Sequence, residues 1–249
     1  LKVQEHNIPI ICIGNLSIGG TGKTPHTNYI AQLLSKDYKV GILSRGYGRK
    51  SIKFNYVSNK SPVDNVGDEP LQLKLNNPNC IVAVSRSRNK GIEKIITDFP
   101  NIDVILLDDG FQHRWTKAGL NIILTPFYKP YINNNLLPLG TLRESMNGAS
   151  RADIIIVSKS PNSLKQSEKK EMQKKLKIKA NQKGYFSSIH YQKYKNLKNN
   201  STLKNEYDYS VTLVTGIANP YPLLKHLQEK VKKVKLIKFP DHHNYSTKD

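Results

Sequence analysis

The sequence is organised around Gly14-Asn15-Leu16-Ser17-Ile18-Gly19-Gly20-Thr21-Gly22-Lys23-Thr24-Pro25, which follows the apolar run Ile10–Ile13 and precedes the helix-like segment His26–Leu34. A strand, a glycine-rich loop and a helix in this order are typical of a phosphate-binding loop. Glycines let backbone N–H groups approach phosphate oxygens, and the positive end of the helix points at the same anion. Lys23 is placed to reach the β- and γ-phosphates of a nucleotide, and the Thr24 hydroxyl to hold Mg²⁺.

One position departs from the general phosphate-loop pattern, in which a glycine stands five residues before the glycine of Gly-Lys-Thr. Ser17 occupies that position, and the three glycines that follow supply flexibility in another way. The alternative interpretation is an ordinary glycine-rich turn between a strand and a helix. The residues predicted to line the triphosphate are Ser17, Ile18, Gly19, Gly20, Thr21, Gly22, Lys23 and Thr24.

An acidic strand end gives the second strong signal. The apolar run Val104–Leu107 ends in Asp108 and Asp109. This is the Walker B pattern, in which a carboxylate acts on Mg²⁺. Two adjacent carboxylates repel each other unless a cation or a donor lies between them. Behind a phosphate loop, the pattern predicts a magnesium site.

Apolar strand-like runs alternate with segments of helical length, which indicates a mostly parallel sheet with helices on both faces. The predicted fold is therefore α/β and P-loop NTPase-like, with a smaller C-terminal α/β lobe. The sequence becomes rich in Lys, Gln and Ser after Lys159, and we place a domain boundary there. The expected domains are a kinase-like core over 1–159 and a smaller domain over 160–249, incomplete at its end.

The composition favours anionic partners. The 249 residues include 39 Lys and Arg against 19 Asp and Glu, for a net charge of +20. Phosphates, nucleic acid and an acidic membrane surface all fit this charge, and a solvated Lys-rich surface is the alternative. The two cysteines, Cys12 and Cys80, lie in apolar runs and are interpreted as buried thiols. No apolar run approaches the ~20 residues of a membrane span.

Polar residues follow several of the predicted strands. Ser44-Arg45-Gly46-Tyr47-Gly48-Arg49 ends one of them, and this pattern indicates an anion or sugar contact or simply a tight turn. Asp68 suits a helix N-cap. Asp241-His242-His243, after the last strand, is interpreted as a metal or base site or as a polar turn.

Taken together, these motifs resemble the tetraacyldisaccharide 4′-kinase family, the lipid A 4′-kinases. They occur in the family's order over nearly the whole chain. The matching pieces are Gly14-Asn15 through Thr24-Pro25, Ser44-Arg45-Gly46-Tyr47-Gly48, Gly67-Asp68-Glu69-Pro70, Asp108-Asp109-Gly110-Phe111-Gln112-His113, Leu142-Arg143-Glu144, Gly216-Ile217-Ala218-Asn219-Pro220 and Asp241-His242-His243.

The resemblance implies transfer of the ATP γ-phosphate to the 4′-hydroxyl of a tetraacylated disaccharide 1-phosphate, in a Gram-negative bacterium. It implies that Asp68 accepts the hydroxyl proton with help from His242, and that Glu144 joins Thr24 and the two aspartates around Mg²⁺. The residues expected to contact phosphate or sugar are Asn15, Tyr47, Arg88, Gln112, His113 and Arg143. The expected location is the cytoplasmic face of the inner membrane, held peripherally or through an N-terminal helix absent from this chain.

Two other functions remain open at the level of sequence. One is a soluble P-loop ligase or small-molecule kinase, which would work without lipid or detergent. The other is a nucleic-acid-stimulated ATPase, which the positive charge allows and which would depend steeply on salt. No recognisable nucleic-acid-binding module is present, so nucleic acid is not expected as a partner.

Overall fold

The structure, a computed structural model, describes residues 3–199, 201–202, 206–217, 219–241, 243 and 245–246. The chain divides into two compact units, Leu1–Ile189 and His190–Asp249. Each unit is built around parallel strand pairing.

The first unit contains an eight-stranded sheet in the order β3-β4-β2-β5-β1-β6-β7-β8. All neighbours are parallel except β3, which pairs antiparallel with β4. The central strands are continuous apolar runs because both of their faces are covered. The strands are β1 (Ile10–Asn15), β2 (Val40–Ser44), β3 (Asn55–Tyr56), β4 (Ile81–Val84), β5 (Val104–Asp108), β6 (Leu120–Pro126), β7 (Ile154–Ser158) and β8 (Lys183–Phe186).

Helices cover both faces of this sheet. Successive strand residues alternate between two buried clusters: Leu106 packs in the cluster that contains Ala31 of the first helix, and Leu107 packs in the cluster that contains Ile92 and Ile95. The helices are α1 (Lys23–Leu34), α2 (Val63–Val66), α3 (Asp68–Asn76), α4 (Arg88–Asp98) and α5 (Gln166–Lys175), with 3₁₀ helices at Tyr131–Asn133 and Met146–Arg151. The predicted fold class is confirmed.

The second unit has a parallel pair of strands joined by a helix. β9 (Ser210–Thr215) pairs with β10 (Lys233–Lys238), and α6 (Tyr221–Gln228) connects them. A 3₁₀ helix spans Glu206–Asp208. No helix in the described ranges is long and apolar enough to cross a membrane.

Two elements differ from the sequence interpretation. α4 was not predicted, because most of its residues are polar and the apolar pattern of its buried face is limited to a few positions such as Ile92 and Ile95. β8 belongs to the main sheet through its parallel pairing with β7, so the compact units part after Ile189 rather than near residue 159. Whether 160–249 acts as one functional domain stays a prediction.

The fold brings the polar strand ends to one edge. Because these strands are parallel, their carboxyl ends lie at the same edge of the sheet, where ligands bind in open α/β folds. β1, β2 and β5 end there in Asn15, Ser44 and Asp108, and β7 ends there in Ser158. The candidate site is built from these residues and the loops that follow them.

Candidate active site

The loop between β1 and α1 has the geometry of a phosphate cradle. Gly19 and Gly22 adopt left-handed backbone conformations, with φ of 95° and 94°. Residues with a Cβ atom rarely adopt such conformations. The Asn15 amide donates to Thr21 Oγ1 at 2.6 Å, and the Ile18 N–H donates to the Thr141 carbonyl at 2.7 Å. The loop is therefore held at both ends while its glycines turn the backbone.

The carbonyls of this loop are held by side chains from the end of β7. Lys159 Nζ donates to the Gly20 carbonyl at 2.6 Å, and Ser158 Oγ donates to the Thr21 carbonyl at 2.7 Å. Burial lowers the pKa of Lys159. Tying down these carbonyls fixes the orientation of the loop's peptide planes.

A histidine on α1 holds the next carbonyl. His26 Nδ1 lies 2.6 Å from the Gly22 carbonyl, and its Nε2 lies 2.8 Å from Ser187 Oγ. Because a carbonyl can only accept, Nδ1 carries the proton, and neutral Nε2 accepts from the serine. Burial lowers the pKa of His26, against the opposing effect of the Gly22 hydrogen bond. Three consecutive loop carbonyls therefore have side-chain donors.

Lys23 and Asp109 meet in front of the loop. Lys23 Nζ lies 3.8 Å from Asp109 Oδ1, and Arg143 donates to both oxygens of the same carboxylate at 2.8 and 3.1 Å. Burial alone would raise the pKa of Asp109, but Arg143 and Lys23 together hold it below its usual value. Asp109 is therefore a charged carboxylate facing the end of the phosphate-loop lysine.

Asp108 lies in a different environment from its neighbour. Its side chain is fully buried and accepts hydrogen bonds from Thr27 Oγ1 at 2.9 Å and from Ser44 Oγ at 3.3 Å. Burial, and then the negative charge of Glu69, raise its pKa to about 6. The two carboxylates of the acidic strand end therefore have opposite pKa shifts.

Glu144 is held by two donors. Arg151 donates to both of its oxygens at 2.8 and 3.0 Å, and Gln112 donates to one of them at 2.9 Å. These hydrogen bonds lower the pKa of Glu144 against the raising effect of burial. The Arg151 guanidinium also lies over the Phe111 ring, 4.4 Å from its centroid.

Asn15 joins these groups to the loop. It is fully buried, and its side-chain oxygen accepts a hydrogen bond from Arg143. Its carbonyl accepts from Gln112 at 2.8 Å. Three of the predicted substrate residues, Asn15, Gln112 and Arg143, are thus brought together as one polar network behind the loop.

Arg88, a fourth predicted substrate residue, lies in the interior. Its side chain is fully buried and donates to the carbonyls of Ser85 at 2.7 Å and of Asp108 and Asp109 at 3.4 Å each. Burial lowers its pKa to about 10, against the attraction of both aspartates. Arg88 thus fixes the backbone at the acidic strand end.

His113 lies beside Trp115, with ring centroids 5.3 Å apart in an edge-to-face arrangement. Burial, and then the charges of Arg88 and Arg45, lower its pKa to about 4. His113 is therefore neutral near pH 7, which removes one positive charge from an already basic edge.

Asp68 opens α3 as its first helical residue. Gly67, at φ 92°, is the N-cap residue, so Asp68 is not the cap itself. The Asp68 carboxylate is exposed and accepts from the Glu69 N–H at 2.8 Å. Tyr47 lies on the neighbouring loop and is 76% exposed. His242, the predicted helper of Asp68, lies outside the described residues.

The four predicted magnesium ligands do not form a single cluster of side chains. Among the described residues, no three His, Cys, Asp or Glu side chains gather in a way that could hold a metal ion. Thr24 is buried in the first turn of α1. Asp108 ends β5 and Asp109 follows it, and both oxygens of Glu144 accept hydrogen bonds from Arg151.

Sequence reasoning missed the residues that hold the loop carbonyls. Ser158 and Lys159 directly follow a predicted buried strand, which is the signal that singled out Arg45 and Asp108. Applied to β7, the same rule would have found them. His26 and Ser187 carry no comparable signal, since they meet only through the fold.

The whole chain, residues 1–249, matches the family profile described as Tetraacyldisaccharide-1-P 4'-kinase. The chain belongs to the tetraacyldisaccharide 4′-kinase family. Two 4′-kinases of this name show the level of similarity. The protein from Bacteroides thetaiotaomicron is 41% identical over 100% of this chain and 69% of its own length. The protein from Flavobacterium johnsoniae is 40% identical over 100% of this chain and 73% of its own length.

A solved 4′-kinase structure has the same fold. The crystal structure of LpxK from Aquifex aeolicus in complex with ATP superposes with a TM-score of 0.78 at 30% identity, covering 99% of this chain and 76% of that one. The resemblance and the kinase class that it implies are confirmed.

Proposed function

We propose that this chain transfers the γ-phosphate of ATP to the 4′-hydroxyl of a tetraacylated disaccharide 1-phosphate in lipid A biosynthesis. The observation that carries the proposal is the contact of Lys23 with Asp109 in front of a braced phosphate loop, in a chain that matches the family over its whole length. ATP in the related crystal structure supports the choice of donor.

The phosphate loop is suited to hold the β- and γ-phosphates. The first N–H groups of α1 have no intrahelical partner and carry the positive end of the helix dipole. Lys159, Ser158 and His26 hold three loop carbonyls. The Thr21 N–H donates to the Gly19 carbonyl, and the N–H groups of Gly22 and Lys23 in the next two peptides are left to turn toward the anion. Lys23 then adds a positive charge at the transferred group.

The residues present also fit Mg²⁺. This ion prefers oxygen ligands and is usually bound through one or two carboxylates together with substrate phosphates, so a three-carboxylate group is not needed. Thr24 would supply a hydroxyl, and Asp108 and Asp109 carboxylate oxygens. When bound, Mg²⁺ neutralises charge on the phosphate oxygens during transfer. Glu144 accepts hydrogen bonds from Arg151 and from Gln112, which also donates to the Asn15 carbonyl, and we propose that Glu144 orients the network around Asn15.

Asp68 is the proposed general base. Its exposed carboxylate, in the first turn of α3, is accessible to an acceptor hydroxyl. Phosphoryl transfer needs positioning and charge neutralisation more than covalent chemistry, and a base contributes ~100-fold or more. His242 is proposed to assist Asp68, as the family resemblance implies.

The proposal is tested with γ-labelled ATP and the disaccharide 1-phosphate in mixed micelles. Wild type should label the lipid, with no stimulation of ATP turnover by DNA or RNA. Asp68→Asn should lower kcat at least ~100-fold with little change in the KM for ATP. Asp64→Asn, which removes another exposed carboxylate close by in the chain, is the matched control. Wild-type turnover in Asp68→Asn would remove this residue from the mechanism, and unlabelled lipid with wild type would refute the function.

The proposed location is the cytoplasmic face of the inner membrane, with binding to its anionic surface. The net charge of +20 supports this, since each Lys or Arg near such a surface contributes ~1 kcal/mol. Cosedimentation with phosphatidylglycerol vesicles should exceed that with phosphatidylcholine vesicles and should fall with added salt. Equal binding to both lipids would contradict the electrostatic attraction.

A further inference from the structure

We propose that the pocket formed by the loop after β2 and by Arg86 binds a phosphate monoester, namely the phosphate that the acceptor already carries. This proposal rests on the proposed function and adds a recognition site on the acceptor side. The pocket, here called the arginine pocket, is a cavity of about 200 Å³ lined by Arg45, Gly46, Tyr47, Gly48, Arg49 and Arg86.

The arginine pocket is positioned by two neighbouring strands. β2 and β4 pair in parallel, with Ser44 opposite Val84 at their ends. The Arg45–Arg49 loop follows the first of these residues, and Arg86 follows the second. The pocket therefore lies at the same sheet edge as the phosphate loop and the acidic strand end.

The pocket concentrates positive charge without a counter-ion. It is lined by three arginines, and none of them forms an ion pair with a carboxylate in the described part of the chain. Burial, and then the positive charge of Arg86, lower the pKa of Arg49. An anion bound between the three guanidinium groups would offset the repulsion between Arg49 and Arg86.

Arg49 has an unused donor. Its Nη1 donates to the Lys53 carbonyl at 2.6 Å, while its Nη2 is buried and has no protein partner. A buried donor without an acceptor costs about 1–3 kcal/mol. A phosphate oxygen in the pocket would supply the missing acceptor.

The loop backbone brings the Arg49 side chain over the pocket. Gly46 has a φ of 68°, and a Cβ at this position would lie 2.6 Å from Arg49 Cδ and 2.7 Å from the Val66 carbonyl. Only glycine fits there, so the aliphatic part of Arg49 packs directly on the Gly46 backbone. The guanidinium at the end of this side chain is held by its hydrogen bond to the Lys53 carbonyl.

The position of the pocket favours the acceptor over ATP. The phosphate loop follows β1, and β5 with its two aspartates lies between β1 and β2. On the pocket side of β5, a Cβ on Gly67 would lie 3.1 Å from the Tyr47 carbonyl, so the residue before the proposed base packs against the pocket loop. A phosphate held there would belong to the molecule whose hydroxyl approaches Asp68.

The test compares two acceptors that differ only at the existing phosphate: the tetraacyldisaccharide 1-phosphate and the same disaccharide with a free 1-hydroxyl. Equilibrium binding is measured without ATP, and KM and kcat with ATP. Arg86→Gln should weaken binding of the phosphorylated acceptor about 10- to 100-fold, the usual effect of losing hydrogen bonds to a charged group. Binding of the 1-hydroxyl acceptor and the KM for ATP should stay unchanged.

Matched variants separate site-specific from general effects. Lys50→Gln removes one charge from the residue next to Arg49, but Lys50 is exposed and pairs with Asp64 at 2.6 Å, so acceptor binding should stay at the wild-type level. Arg86→Lys keeps the charge without the planar fork and should give an intermediate loss. Both variants and Arg86→Gln are compared by thermal unfolding, so that a folding defect is recognised.

Three results would overturn the proposal. The first is that Arg86→Gln weakens the binding of both acceptors equally, and the second is that it leaves the binding of the phosphorylated acceptor unchanged. The third is that Arg86→Gln reduces binding to phosphatidylglycerol vesicles but still binds the phosphorylated acceptor more tightly than the 1-hydroxyl acceptor, as wild type does. That result would assign the pocket to a lipid headgroup. Failure of the proposed function is a distinct outcome: wild type would then transfer phosphate to neither acceptor, whereas the binding measurement would still test the pocket.

Discussion

Replacing Lys159 by methionine should weaken nucleotide binding without touching any group that contacts the phosphates in the proposed mechanism. Lys159 Nζ donates to the Gly20 carbonyl at 2.6 Å across the base of the phosphate loop. Methionine keeps most of the side-chain length and removes only the charged donor. The Gly20 peptide then loses the partner that fixes its orientation.

The magnitude follows from the type of hydrogen bond. A bond from a charged donor contributes about 1.5–3 kcal/mol, which corresponds to about a 10- to 100-fold change in an equilibrium constant. Because burial already lowers the pKa of Lys159, part of this gain offsets desolvation, and the lower half of the range is expected. The Kd for ATP should therefore rise about 10- to 30-fold.

Titration calorimetry with a non-hydrolysable ATP analogue and Mg²⁺ measures this Kd directly. Lys170→Met is the matched control, because Lys170 is an exposed lysine on α5. A Kd in Lys159→Met within about twofold of wild type would refute the argument that this lysine positions the loop. A rise of the same size in Lys170→Met would show a general charge effect instead.

Three further predictions concern the buried parts of the site. Arg88→Met should lower the free energy of unfolding by about 3 kcal/mol in a urea titration, because it leaves the buried carbonyls of Ser85, Asp108 and Asp109 without their charged donor. His113 has a pKa of about 4 in the folded state and 6.5 in the unfolded state. Its contribution to the free energy of unfolding is therefore fully present above pH 6.5 and is lost as the pH falls toward 4. Between pH 7 and pH 4.5, the free energy of unfolding of wild type should therefore fall by about 1–2 kcal/mol more than that of His113→Gln, after allowance for the partial exposure of His113. Parallel profiles of unfolding free energy against pH for the two proteins would contradict this. Gly14→Ala should lower the free energy of unfolding by about 1–3 kcal/mol in the same urea assay, because the added Cβ would lie 2.5 Å from Phe111 Cβ. An unchanged free energy of unfolding would show that β1 and the segment after β5 can separate at little cost.

The phosphate loop and the acidic strand end were predictable because their signals are local. Lys23 follows a glycine and opens a helix, and Asp108 and Asp109 close an apolar strand, so sequence order alone places them. Parallel strands then bring both motifs to one edge without further information. The order of motifs along the whole chain was enough to identify the family.

The roles of individual polar residues were less accessible, because they depend on contacts between distant positions. Asp108 and Asp109 are neighbours in sequence, yet one is buried against Thr27 and Ser44 while the other faces Lys23. Nothing in the local pattern indicates which is which.

Burial was the other property that sequence could not supply. Arg88 was predicted to contact substrate, and it lies fully buried between backbone carbonyls. Lys159 marked only a change in composition, and it contacts the phosphate loop. Both outcomes depend on the approach of β4 and β7 to the central strands, which follows from strand order rather than from residue type.

A crystal structure of this chain with a non-hydrolysable ATP analogue and Mg²⁺ tests the central claim most directly. We expect the β- and γ-phosphates to lie within hydrogen-bonding distance of the backbone N–H groups between Gly19 and Thr24. Lys23 Nζ should move from Asp109 toward the γ-phosphate, and the metal should contact Thr24 Oγ1. A triphosphate bound elsewhere, or bound with Lys23 still paired to Asp109 and distant from the phosphates, would contradict the account.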